Sequence, residues 1–205
     1  MIHTKFNKFK ELNKANDDNI RELVESRETD NLNYINTTNV TSMRRLFYQD
    51  NFNGNISRWD VSNVVDMSFI FTFSSFNNDI SKWNTSRLIN ANSMFCYSPF
   101  NQDISQWNTS NITQMDFMFD NTVFNQDISH WNVSNAFDMS YMFSFSVFNQ
   151  DISKWDVSNV QYMNCMFAYS KFSQDIDSWN VNNATSMIDI FKKSSMKRLP
   201  SWYKK

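Results

Sequence analysis

A chain of 205 residues with a net charge of −2 is long enough for one domain with a sizeable core. Its 41% hydrophobic and 17% aromatic content excludes a disordered polymer, and its charge balance offers no basic half of the kind that nucleic-acid binding through counterion release requires. No run approaches the ~18 apolar residues of a membrane span, and a single glycine, Gly54, leaves no room for a glycine-built phosphate loop or nucleophile elbow.

The opening residues, MIHTKFNKFKELNK, contain no apolar h-region and no small-residue cleavage site, so they do not read as a signal peptide. The expected location is cytoplasmic, or the cell surface if a leader has been trimmed. Residues 1–34 do not fit the repeat that follows. Ile2, Phe6, Phe9 and Leu12 suit one helical segment, and Asn16, Asp17 or Asp18 is placed to cap another that carries Ile20, Leu23 and Val24 on one side. A helical cap is expected here, because a bare terminal coil exposes its core and an unpaired edge.

From residue 35 the chain repeats. Ile35 to Phe47 read as a degenerate first coil, and copies then start near Phe52, Phe76, Phe100, Phe124, Phe148 and Phe172. Trp59, Trp83, Trp107, Trp131, Trp155 and Trp179 recur every 24 residues without insertion, as do Ile56 to Ile176 and a second Phe series from Phe47 to Phe191. Met67, Met115, Met139, Met163 and Met187 form a further column, interrupted by Ala91. A unit this short cannot bury its own apolar face, so copies must stack and each column becomes a ladder. The segment D-I-S-x-W is predicted as a strand, being short, β-branched and aromatic. The segment M-x-x-M-F places apolar groups at i, i+3 and i+4 and is predicted as one or two helical turns. The expected fold is an α/β repeat, a leucine-rich-repeat-like solenoid over 35–191, with a pure β-helix as the alternative. The 30 asparagines are expected to build the turns, since Asn tolerates left-handed backbone and closes Asx-turns. In 192–205, Pro200 takes the Ile column and the run Leu199 to Tyr203 is expected to close the sheet edge, with Trp202 one residue out of phase.

The string F-N-Q-D-I-S-x-W-[ND]-[VT]-S-N-V followed by M-x-x-M-F, clearest from Phe124 to Phe143 and from Phe148 to Phe167, resembles the BspA-like leucine-rich-repeat family, also described as DUF285 or the mycoplasma lipoprotein-type repeat. The resemblance covers about residues 35 to 191 and implies a leucine-rich-repeat-type superhelix. Larger members are commonly bacterial surface or lipid-anchored proteins implicated in adhesion. The sequence departs from them in showing no lipobox cysteine and no sorting signal.

Residues suited to catalysis are few. His130 occupies the variable slot before Trp, whose other occupants are Arg58, Lys82, Gln106, Lys154 and Ser178, and it reads as an exposed variable residue. Cys96 and Cys165 lie about three coils apart, on the order of 14 Å at strand spacing, too far for a disulfide. The Met columns read as core. Asp79, Asp103, Asp127, Asp151 and Asp175 share a phase, and the expectation is that each accepts backbone N–H groups of the turn formed by the preceding Asn and Gln, rather than binding calcium. No cofactor and no metal site is expected.

The sequence therefore points to a non-catalytic binder of another protein. An intracellular one-to-one binder, such as a toxin-neutralising immunity protein or an inhibitor, is the leading reading, and a surface adhesin or a fragment of one is the alternative. Columns that vary between coils are free to recognise. One is the mainly basic stripe Arg58, Lys82, Gln106, His130 and Lys154, which suits an acidic partner. Two others carry aromatics, which dominate binding hot spots: Phe69, Phe117 and Tyr141, and Phe73, Tyr97, Phe145 and Tyr169.

Overall fold

The computed structural model of the protein describes residues 14–204. Each 24-residue unit forms one coil, and residue n lies against residue n+24 of the next. One parallel bridge per coil marks this register, pairing Ser42, Asp66, Asn90, Gln114, Asp138, Tyr162 and Ser186 in succession. The only helix among the described residues is α1 (Ile20–Glu25). The strand predicted over D-I-S-x-W and the helical turns predicted over M-x-x-M-F are both replaced by hydrogen-bonded turns, so strand pairing shrinks to isolated single-residue bridges, only that of Asn55 falling at the edge of a predicted segment.

Local side chains explain the missing strand. Asp79 Oδ1 accepts the N–H of Ser81 at 2.8 Å, and Trp83 N–H turns back to the Ile80 carbonyl at 3.1 Å. Asn and Asp that bond their own backbone compete directly with a ladder. The same Asx-turn recurs at two further corners, where Asn84 accepts from Ser86 at 3.1 Å and Asn90 accepts from Asn92 at 3.0 Å. The donor to each Asp of this column is thus the N–H two residues later, a Ser in four coils and Asp177 for Asp175, not the turn before it.

The M-x-x-M-F segment is built from successive tight turns. Ile70 N–H donates to the Met67 carbonyl and Ser74 N–H to that of Phe71, each at 3.2 Å. The third residues of these turns, Phe69 at φ 58° and Phe73 at φ 54°, are left-handed, as a type II turn requires. An α-helix would keep its N–H groups within the segment. Here Met67, Phe69, Phe71 and Phe73 instead donate to Asn90, Asn92, Met94 and Cys96 of the next coil, at 2.9 to 3.0 Å.

Side chains replace backbone pairing elsewhere around the coil. The N–H groups of Asn77, Asn101, Asn125 and Asn149 each donate to the Oδ1 of the Asn one coil earlier, at 2.8 to 2.9 Å. Trp83, Trp107 and Trp131 donate Nε1–H to the carbonyls of Ile56, Ile80 and Ile104. Asn111, Asn135 and Asn159 donate Nδ2–H to the carbonyls of Ser86, Ser110 and Ser134. Inside this frame the Phe, Ile, Met and Trp columns form one core. Phe71, Phe95, Phe119 and Phe143 stack at centroid spacings of 5.7 Å, and Phe95 lies 3.9 Å from Phe100, five residues further along the chain.

The ends differ from expectation in two respects. Pairing runs through the boundary expected at residue 34, because Leu32 N–H donates to the Asn55 carbonyl and Asn55 N–H donates to that of Asp30 at 2.6 Å. Helix α1 begins after Asn19, its Ile20 and Val24 buried, and Asn16 Oδ1 accepts the N–H groups of Asp18 and Asn19 just before it. Asp17 instead accepts the N–H groups of Thr41 and Ser42, tying this segment to the first full coil. The segment predicted through Ile2, Phe6, Phe9 and Leu12 lies outside the described residues. At the far end, Trp202 completes the Trp ladder despite its shifted phase: its ring stacks on Trp179 at 6.4 Å and its Nε1–H reaches the Ile176 carbonyl.

Two outcomes follow from this packing. Trp107 is buried, and its truncation to Ala removes about 3–5 kcal/mol of packing and the indole hydrogen bond to the Ile80 carbonyl, which keeps only the Trp83 N–H. Trp202 is only half-buried and terminal, so Trp107→Ala should lower the melting midpoint more than Trp202→Ala, and circular dichroism melts read the difference directly. Gly54 is needed for close approach. A Cβ there would lie 1.9 Å from the Asp30 carbonyl oxygen, a backbone atom that cannot rotate away. Gly54→Ala should destabilise by roughly 1–3 kcal/mol, the range of overpacking, and a denaturant midpoint that does not fall would refute that close approach.

Candidate functional site

Of the described non-glycine residues, 14 have positive φ, and they are the two variable columns that the sequence singles out, extended to every coil. One runs Arg45, Phe69, Ser93, Phe117, Tyr141, Cys165, Asp189; the other runs Gln49, Phe73, Tyr97, Asn121, Phe145, Tyr169, Lys193. Asn121 is their single Asn, so the expectation that Asn would supply left-handed backbone does not hold. Asn works at the Asx corners, while bulky rings occupy positions that cost of order 1–3 kcal/mol each and that Gly would fill without strain.

These rings stand outward. Phe73, Tyr97, Phe145 and Tyr169 are each 40 to 53% exposed, against near-zero exposure for the core Phe columns. Phe73 stacks on Tyr97 at 4.6 Å, Phe145 on Tyr169 at 4.5 Å and Phe117 on Tyr141 at 4.5 Å. Both ends of the face are closed by cations of the chain itself. Arg45 lies 5.0 Å from the Phe69 ring centre and Lys193 lies 5.4 Å from that of Tyr169. Exposed Val123 and Val147 extend the apolar area two residues beyond Asn121 and Phe145. Their column also holds Ser75, Pro99 and Lys171, so it carries no periodic signal by which the sequence could have marked it.

The pre-Trp stripe has a different character. Arg58, Lys82, Gln106, His130 and Lys154 are all exposed on the D-I-S-x-W turn. Three residues before each of the last four stands an Asp, and the Asp79, Asp127 and Asp151 carboxyls are held below the usual range by the Ser81, Ser129 and Ser153 N–H groups, with Lys82, His130 and Lys154 adding to the effect. The cations of the stripe are therefore bordered by ionised carboxylates of their own coils, and the surface is of mixed sign.

Carboxylates of another kind sit on the turn face. Asp116 and Asp120 precede the left-handed Phe117 and Asn121, and Asp120 is only 8% exposed. Burial pushes both carboxyls up to about 6, with repulsion from Asp138 adding to the rise at Asp116. The Asn92 side chain donates to Asp116, and Cys96 Sγ lies 3.7 Å from Asp120. Burial and the Asp120 charge push the Cys96 thiol up to about 12, which leaves it protonated and a poor nucleophile. Cys96 and Cys165 are both free thiols.

A carboxyl whose folded pKa of about 6 exceeds the ~3.9 of the unfolded chain binds its proton more tightly when folded. Stability should therefore rise as pH falls from about 7 towards about 4. Below that range the turn aspartates with lowered pKa lose their ionised hydrogen bonds, and stability falls again. Melting midpoints should be higher at pH 5 than at pH 7.5, and Asp120→Asn should raise the pH 7.5 midpoint and shrink the difference. A midpoint that only climbs from pH 5 to 7.5 would contradict the burial assigned to these groups.

No curated protein and no solved structure matches the chain. A family described as a Mycoplasma protein of unknown function, DUF285, matches residues 7–121 and again residues 96–202, two overlapping stretches that take in every coil described above. The chain belongs to the DUF285 family.

Proposed function

We propose that the protein is a non-catalytic solenoid of leucine-rich-repeat type that binds another protein through its turn face. The observation that carries this reading is the placement of Phe, Tyr and their stacked pairs at left-handed positions on the outside of the coils. Strain of this kind persists where surrounding structure over-determines it, and it clusters at sites of function. The core gains nothing from these rings, whereas rigid aromatics exposed in register are the usual anchors of protein interfaces. A repeat architecture suits such a role, because its coils present a long surface of fixed spacing.

The basic stripe before Trp remains a secondary candidate for an acidic partner, weakened by the aspartates that border it. A catalytic role finds little support, since His130 is exposed on that stripe and the buried thiol of Cys96 stays protonated. A toxin-neutralising or inhibitory binder is favoured over an adhesin because the stacked exposed aromatics recur in register along one segment of the coils, which suits one defined partner, while a separate exposed pair, Phe137 and Tyr162, lies off that face. Nothing in this reading depends on the compartment.

The test exploits the strain. Asn already occupies this column at Asn121, so Phe145→Asn relieves a left-handed aromatic while giving up stacking on Tyr169 worth about 0.5–1.5 kcal/mol. The expected result is a melting midpoint within a few degrees of the parent, about 1 kcal/mol or less, together with a loss of partner affinity of about 30-fold, as hot-spot truncation gives. Affinity capture from the source cell, comparing the parent with Phe73→Asn and Phe145→Asn, checks this. A partner retained equally by all three forms would remove the turn face as the binding surface.

A further inference from the structure

The aromatic ladder of the turn face has a missing rung. In the column of Phe73, consecutive rings pack at 4.5 to 4.6 Å, but between Tyr97 and Phe145 stands Asn121. Those two rings are two coils apart, about 9–10 Å at the ~4.8 Å spacing of hydrogen-bonded neighbours. That separation accepts one planar group with a stacking contact on each side, and the side chain of Asn121 is too short to fill it. Next to Asn121 in the chain is Asp120, 8% exposed, whose carboxylate has the Cys96 and Ser144 side chains beside it and forms no ion pair among the described residues, where the pairs are Arg27 with Asp50, Lys192 with Asp189 and Arg198 with Asp177.

The two ends of the face show what this chemistry attracts. Arg45 lies over Phe69 and Tyr48 at one end, and Lys193 lies over Tyr169 at the other. At the centre the same aromatic surface is joined by two half-buried to buried carboxylates, Asp116 and Asp120, and has no cation of its own. We propose that this central gap is a receptor for an arginine side chain of the partner protein, its guanidinium sandwiched between Tyr97 and Phe145 and paired with Asp120. Arginine fits where lysine does not, because its planar, weakly hydrated fork stacks on rings and bonds a carboxylate at its edge. A cation there also relieves the burial that disfavours the ionised form of Asp120. The inference rests on the turn face being the binding surface and specifies what the partner must bring to it.

The probe is an acetylated, amidated Gly-Arg-Gly peptide, titrated into the full chain and followed by the amide resonances of residues 96–98, 120–122 and 144–146. Citrulline and lysine versions of the peptide serve as controls. The expected result is saturable shifts confined to those residues for the arginine peptide. Citrulline, planar but neutral, should bind at least tenfold more weakly, and lysine several-fold more weakly. Asp120→Asn should reduce arginine binding at least tenfold without altering the fold. Asn121→Phe should abolish it by supplying the missing rung, with left-handed Phe already tolerated at Phe73 and Phe145 of the same column. Equal binding of arginine and citrulline, shifts centred elsewhere, or full binding by Asn121→Phe would each overturn the proposal. Loss of the natural partner on Phe145→Asn without arginine binding would overturn the gap while leaving the face as the interface.

Discussion

The structure depends on how each backbone N–H finds an acceptor in a coil only one chain thick. A coil occupies about 4.8 Å of the stack, and every buried peptide group must pair within its own turn or with the coil beside it. Over Met67 to Phe73 the two solutions alternate residue by residue. Met67, Phe69, Phe71 and Phe73 donate across to the next coil, whereas Ile70, Thr72 and Ser74 donate back within the turn. A strand would send none of its pairs inward and a helix none outward. The mixed arrangement needs two left-handed residues per coil, which explains why positive φ recurs every 24 residues in a chain with a single glycine.

That requirement also decides which side chains face out. The apolar side chains of Met67, Ile70 and Phe71 are drawn into the core, while of the two left-handed residues between and after them Phe69 is half-buried and Phe73 stands exposed at the surface. The left-handed geometry is set by the backbone and imposed on whichever residue stands there, at least cost for Gly or Asn, and the column is free to vary in chemistry while the ladder beneath it stays constant. Stacking recovers part of the cost wherever neighbouring coils both carry rings, as in Phe73 with Tyr97 and Phe145 with Tyr169. Core packing and outward display are thus separated within seven residues: one set of positions holds the coils together, and the next set faces out.

Much of this was legible in the sequence. The 24-residue period, the buried Phe, Ile, Met and Trp ladders and the variability of the outward columns all follow from phase alone, because stacked copies force like residues together. The secondary structure was not legible, and the reason is local. D-I-S-x-W has a strand's composition, but Asp79 and its equivalents bond the backbone two residues ahead and bend the chain. M-x-x-M-F has the i, i+3, i+4 spacing of a helix, and a run of tight turns places the same residues inward equally well. Left-handed aromatics could not be foreseen, since sequence preference assigns positive φ to Gly and Asn. Trp202 was misplaced for the opposite reason, because a phase shift of one residue is absorbed by the terminal turn and the indole still reaches the Ile176 carbonyl.

A stack built this way presents its outward side chains at fixed intervals. Successive members of an outward column are held about 4.8 Å apart by the backbone bonds beneath them, and planar groups stack best at nearly that distance. A ring in every coil closes the column on itself, leaving edges but no space between faces. A small residue in one coil opens a space of one planar group between two preformed walls, and it does so without disturbing the core, whose Phe119 and Met118 remain fully buried beneath Asn121. In the proposed site, affinity would depend on rigid walls that need no ordering when a ligand enters, and selectivity on the neighbouring carboxylate of Asp120. The position of a gap along the stack then fixes where on the partner the matching group must lie. Loss of a rung is therefore a simple route by which a repeat of nearly identical coils acquires a site with one location and one chemistry.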